Sequence, residues 1–143
     1  MIKYKNNNIF MILLILIIMA TVFSIDDVSA APNQIYVNND TGNDTWDGES
    51  PTWNGTSGPK LSIKNATGTV STNGVVNVAN GIYTGTNNQN ITINRNMTIQ
   101  GQSSTGTIID AEGLNRIFIV NSGINFILND LTIRNGTATN SNG

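Results

Sequence analysis

Between Val75 and Gly136 the chain alternates short apolar pulses, VVNV, ITI, MTI, TIID, IFIV, INFIL and LTI, with stretches of Asn, Gly and Ser. Within each pulse the large apolar residues lie two apart. Val76 and Val78, Ile91 and Ile93, Met97 and Ile99, Phe118 and Val120, Ile124, Phe126 and Leu128, and Leu131 and Ile133 each point to one face of a strand. Strands this short bury too little to stand alone and become stable only by stacking on strands of the same kind. The segment Asn90–Gln102 (NITINRNMTIQGQ) can be laid over Ile124–Gly136 (INFILNDLTIRNG) at an offset of 34 residues, which sets Met97, Thr98 and Ile99 on Leu131, Thr132 and Ile133. Such self-similarity points to stacked turns of one repeating unit. Two all-β architectures suit the spacing: a sandwich of hairpins and a solenoid of parallel strands. The self-match and the scarcity of Asn-Gly turns between adjacent apolar runs favour the solenoid, while Asn73-Gly74 and Asn80-Gly81 keep the hairpin reading open.

Upstream of this core the pattern changes. Lys3 and Lys5 precede an apolar run from Ile9 to Ile25, closed by Asp26 and Asp27, and Val28-Ser29-Ala30 places small residues where a signal peptidase cuts. Residues 1–30 are therefore expected to be a cleaved signal peptide. A retained anchor is the alternative, because the run approaches the roughly 17 residues a spanning helix needs. Either way the remainder is expected outside the cell. Residues 31–74 read as an N-terminal strand (Ile35-Tyr36-Val37), a turn-rich loop and a short capping turn over Leu61–Ala66, and residues 75–143 as the first coils. Charged residues make up 11% of the chain and the net charge is −2, so there is no basic surface for nucleic acid. The absence of Cys and His excludes a disulfide framework, a Cys/His zinc site, a thiol nucleophile and a histidine base.

Three pieces carry a family resemblance. IYVNNDTGNDTWDG with GPKLSIKNA, then VVNVANGIYTG, then NITINRNMTIQGQ with TIIDAEG and NDLTIRNG, resemble the right-handed parallel β-helix (pectin-lyase-like) repeats of adhesin-like surface proteins of methanogenic archaea. The resemblance spans Ile35–Gly136. It implies a right-handed parallel β-helix and a non-catalytic, secreted, adhesin-like role in which a polar surface meets glycans or other cell-surface components. The alternative is a fragment of a polysaccharide lyase or hydrolase, since one coil type serves all three. At about 20 to 35 residues per turn, Val75–Gly143 supplies only two to three coils, near the minimum for stability. The chain is therefore expected to be a truncated product or the N-terminal piece of a longer adhesin, and, if it exists alone, to self-associate through its open last coil.

Candidate chemistry is sparse. Asp40, Asp44, Asp47 and Glu49 crowd one loop beside Asn39 and Asn43 and offer oxygen ligands for Ca²⁺, but their spacing is not that of a known calcium loop, and a solvated acidic turn is the expectation. No other cofactor is expected. Trp46 and Trp53, in the same loop, are expected to plug the N-terminal end of the core, with stacking on sugar rings as the alternative. The lyase resemblance would ask one of Arg95, Arg116 and Arg134 to act as base and Asp110, Glu112 and Asp130 to bind metal. An arginine stays protonated and these charges fall singly at turns, so no catalytic residue is assigned. Paired acids for glycoside hydrolysis have no motif here. Glycosylation sequons stand at Asn39, Asn43, Asn54, Asn65, Asn90, Asn96 and Asn135.

Overall fold

The computed structural model describes residues 30–138. The signal peptide expected over residues 1–30 thus lies, but for Ala30, outside the described residues. Among the described residues nine strands form three small sheets: β1 (Gln34–Val37), β2 (Gly74–Val78), β5 (Met97–Gly101) and β8 (Phe126–Asn129) in the first, β3 (Gly81–Tyr83), β6 (Thr107–Asp110) and β9 (Thr132–Arg134) in the second, and β4 (Ile91–Ile93) with β7 (Phe118–Val120) in the third. A seven-residue helix, α1 (Ile63–Thr69), precedes β2. From β2 onward the chain visits the sheets in rotation, and each strand pairs in parallel with its predecessor in the same sheet.

Parallel pairing in register stacks like on like. Ile35, Val76 and Ile99 form one inward row, all fully buried, and its fourth member is Leu128. Val37, Val78 and Gly101 form a second row, and Tyr83, Ile109 and Ile133 a third in the next sheet. Full burial of each such side chain is worth about 1.5–3 kcal/mol, which is how strands of three to five residues hold together. Gly101 is required by position: a Cβ there would run into the carbonyl of Asp130. The sheet therefore tolerates a turn only if this residue has no side chain.

The structure corrects two readings of register. Met97 pairs with Phe126 and Ile99 with Leu128, whereas Leu131 and Ile133 lie in and before β9, in a different sheet. The overlay at 34 residues had matched MTI with LTI across two sheets, because the loops between strands vary in length and both triplets carry the same apolar–polar–apolar alternation. The Asn-Gly pairs are not hairpins. Among the described residues every strand pairing is parallel, and Asn80-Gly81 turns the corner from β2 in one sheet to β3 in another. Asn73 takes a left-handed conformation (φ 62°) and donates its N–H to Asn96 O, leading directly into β2.

The two ends of the stack differ. At the N-terminal end α1 buries Ile63 and Ala66, and Val70 at its C-cap, against the core. The capping turn expected over Leu61–Ala66 is thus a helix of about two turns. The outer edge of β1 is satisfied by loop backbone: Tyr36 N donates to Gly48 O, Lys60 N to Tyr36 O and Asn38 N to Lys60 O. Residues 31–74 and 75–138 share one sheet and one core through β1 and α1. At the other end the inward residues of the last layer, Leu128, Ile133 and Val120, are 37%, 42% and 46% exposed, against at most 2% for the inward Ile and Val residues of the earlier layers with which they align.

Candidate functional site

The alternation that buries one set of residues turns the other set outward. On the first sheet the register places Tyr36 beside Asn77, Asn77 beside Gln100 and Gln100 beside Asn129, a row of one phenol and three amides crossing four strands. Adjacent members are separated by the interstrand spacing of about 4.8 Å. A groove of about 370 Å³ lies at this face, its lining including Tyr36, Pro51, Asn77, Ala79, Gln100 and Gln102.

The polar groups of the groove are held in place by local bonds that leave other atoms open. Tyr36 OH donates to Gln34 Oε1 (3.3 Å), and Asn77 Nδ2 donates to the same oxygen (3.5 Å). Gln100 Nε2 donates to Asp130 Oδ2 (2.9 Å) and to Gly101 O (2.8 Å), while Gln102 Oε1 accepts from Asn80 N (3.0 Å). Among the described residues Asn77 Oδ1 and Gln100 Oε1 accept no protein hydrogen bond. The lining thus combines an aromatic face, the apolar surface of Pro51 and Ala79, and fixed amide donors and acceptors. Sequence reading missed this row, because Tyr36, Asn77 and Gln100 are far apart in the chain and only the correct register sets them side by side.

The acidic loop does not form a calcium cage. Asp44 Oδ1 accepts from Leu61 N (3.0 Å) and Ser62 N (2.9 Å), and its Oδ2 accepts from Ser62 Oγ (2.9 Å), so it closes the loop onto the approach to α1. Partial burial pushes the Asp47 carboxyl up, but hydrogen bonds from the Ser57 hydroxyl and from the N–H groups of Glu49, Gly58 and Gly48 outweigh it and hold the group below the ordinary carboxylate value. Asp40 is exposed and Glu49 lies on the loop surface. The interior is occupied by the buried Lys60, whose Nζ donates to Asp44 O (3.3 Å) and to Trp46 O. An ammonium therefore takes carbonyl oxygens that a cation in this loop would need. Among the described residues no group of three or more Asp, Glu, His or Cys is arranged to hold a metal.

The tryptophans are not the plug. Trp46 and Trp53 stack on each other with ring centroids 4.5 Å apart and planes at 19°, Trp46 half-buried and Trp53 50% exposed. Gly58 admits Trp46, since a Cβ at this position would meet the indole. The end of the core is covered instead by α1, because a helix presents Ile63, Ala66 and Val70 on one stripe.

The remaining charges are tied down separately. Arg134 Nε donates to Asp110 Oδ2 at 2.8 Å, Asn135 Nδ2 donates to Asp110 Oδ1 at 2.9 Å, and Glu112 N donates to Oδ1 at 2.8 Å. The Glu112 N–H, with Asn135 and the Arg134 guanidinium, holds the Asp110 carboxyl below its ordinary value. Arg134 is thus ion-paired with Asp110. Glu112 Oε2 accepts from Gly85 N and Gln89 Nε2, Arg95 Nη1 donates to Val70 O, and Asp130 accepts from Gln100. Arg116 is exposed. Asp110, Glu112 and Arg134 share one corner, and Arg95 and Asp130 stand at other bends between strands. No family model, curated protein or solved structure matches the chain.

Proposed function

We propose that the chain is a secreted, non-catalytic, adhesin-like surface segment, built as the first turns of a right-handed parallel β-helix, that holds a polysaccharide along the groove of its first sheet. The observation that carries the reading is the in-register row Tyr36–Asn77–Gln100 above the groove. A sugar ring has an apolar C–H face and a rim of hydroxyls; the first suits the phenol and the apolar surface of Pro51 and Ala79, and the second suits amides that both donate and accept. The groups facing the groove are amides, a phenol and aliphatics, which suit binding rather than acid–base chemistry. The β-helix reading is supported by the rotation of the chain through three sheets with parallel pairing at each return. Right-handedness follows from the general rule that parallel crossovers take that hand in about 98% of cases. Secretion is supported by the Lys3–Ala30 pattern.

The test is retention on a panel of immobilised polysaccharides, with release of unsaturated or reducing ends followed in parallel. Retention without product supports the reading, and product formation favours the lyase or hydrolase alternative. Unaltered retention of a Tyr36→Ala, Gln100→Ala double variant removes the groove from it.

Where this segment stands without further coils, the same reading makes its exposed last layer a self-association surface whose occupant is a second copy of the chain. The edge of β1 is already taken by loop backbone and α1, so a copy cannot stack head to tail. Open end must meet open end, an isologous contact that closes at two copies.

A further inference from the structure

The fold sorts the seven sequons, and we infer that Asn43, Asn54 and Asn90 are the positions that carry N-linked saccharide on the folded protein. The inference rests on the export proposed above. An N-linked glycan needs an asparagine amide nitrogen open to solvent, and a hydroxyl residue two positions on that is presented with it.

Three sequons meet both conditions. Asn43 is exposed and uses only its amide oxygen, which accepts from Thr45 N (2.9 Å) and Thr45 Oγ1 (2.8 Å). Asn54 is exposed and likewise uses its oxygen, accepting from Thr56 N (3.0 Å) and Ser57 N (2.8 Å). Among the described residues neither Nδ2 has a protein partner. Asn90 is exposed at the start of β4 with φ 49°, its backbone N–H bonded to Arg116 O, its side chain without a protein partner among the described residues, and Thr92 exposed two positions on.

The other four are compromised by the fold. Asn39 is half-buried, its Nδ2 donates to Ile82 O across the stack, and its amide lies where a Cβ on Gly81 would be. Asn65 sits in α1, its Nδ2 donates to Ser62 Oγ, and Thr67 is buried with its hydroxyl on Lys64 O. Asn96 is half-buried between turns, accepting from Asn125 N. Asn135 donates its Nδ2 to Asp110, and Thr137 Oγ1 donates to Gly113 O. None of the three favoured asparagines lines the groove of the first sheet, so their modification leaves that groove open.

Modification forms a bond from Nδ2 to the anomeric carbon of an activated sugar. The phosphate leaving group departs with the former C–O electron pair, and the amide loses one proton to the transferase. Two arms test the inference. In the first, the full chain is exported through an N-glycosylating pathway and its glycopeptides are mapped by mass spectrometry. Occupancy confined to Asn43, Asn54 and Asn90 is expected, with loss of all glycoform mass in the Asn43→Gln, Asn54→Gln, Asn90→Gln variant. In the second, the folded chain is treated with a soluble asparagine glucosyltransferase and UDP-glucose, beside synthetic peptides spanning each sequon. All seven peptides should accept glucose, and the folded chain only at the three positions. Occupancy of folded chain at Asn39, Asn65, Asn96 or Asn135, or at none of the seven, overturns the inference. The expected pattern in the second arm without any glycan in the first upholds the site assignment and overturns the export reading on which its biological use rests.

Discussion

Individual side chains do three kinds of work in this molecule, and each is separable by substitution. If the groove holds polysaccharide as proposed, Tyr36→Ala and Gln100→Ala should each weaken retention by about tenfold, since one well-placed contact is worth about 1–1.5 kcal/mol, with the melting temperature almost unchanged. At the corner of Asp110, the depressed carboxyl ties stability to acid. A group whose folded value lies below its unfolded value stabilises the fold above the unfolded value and loses that contribution as pH falls through the folded one. Asp47 and Asp110 are both held low, so melting temperature should fall progressively as pH drops below about 4, and Asp110→Asn should flatten that limb. Tyr83 behaves oppositely. Burial pushes its phenol from 10.0 up to about 12, and the hydroxyl donates to Ala79 O. Its contribution is complete below pH 10 and is lost as pH rises toward 12. Tyr83→Phe should flatten the alkaline limb.

At the scale of elements, the helix and the strand rows divide the stabilisation. Ile63→Ala in α1 should cost about 2–4 kcal/mol by urea denaturation, because it opens a cavity under the helix that closes the N-terminal end. Trp53→Ala should cost at most about 1.5 kcal/mol, the worth of its stack on Trp46, because half of the ring is already in water. A loss from Trp53→Ala as large as that from Ile63→Ala would restore the plug reading for the tryptophans. Strand existence was legible in the alternation: Val76/Val78, Ile91/Ile93 and Met97/Ile99 are strand pairs with both members buried. Pairing was not legible. MTI and LTI are nearly the same string, and nothing local says that the first belongs with Phe126–Leu128 and the second with Ile108–Asp110. The helix was half visible for a similar reason, as IKNATGT has too few apolar positions to reveal a period.

At the scale of the whole molecule, stability and assembly meet at the last layer. Leu128 and Ile133 continue inward rows whose earlier members are sealed, so they present a surface shaped to receive another layer. With a second copy as occupant, sedimentation should show a concentration-dependent monomer–dimer equilibrium, and Leu128→Asp should shift it to monomer by placing a charge in the contact. Higher assemblies that persist in Leu128→Asp would sink the two-copy arrangement. The cysteine-free chain allows a second check: Ile127→Cys should form a disulfide between copies, and Lys64→Cys on the exposed side of α1 should not.

The sequence alone determined where most of the strands are and which of their residues face inward, because a period of two is a local property of the backbone; it missed β3 at Gly81–Tyr83, which is too short to show a period. It also determined that histidine and thiol chemistry are absent. Only the tertiary structure decided which strands lie side by side, and with that everything that depends on neighbours. The amide row of Tyr36, Asn77 and Gln100 exists by register. Lys60 fills the loop whose acids had suggested calcium, and α1 takes the place assigned to Trp46 and Trp53. The sequons divide by whether each amide stands open to solvent or is half-buried or bonded within the fold. These are long-range pairings separated by loops of unequal length, and such pairings are selected by the packing of the whole stack rather than by any stretch of the chain that contributes to it.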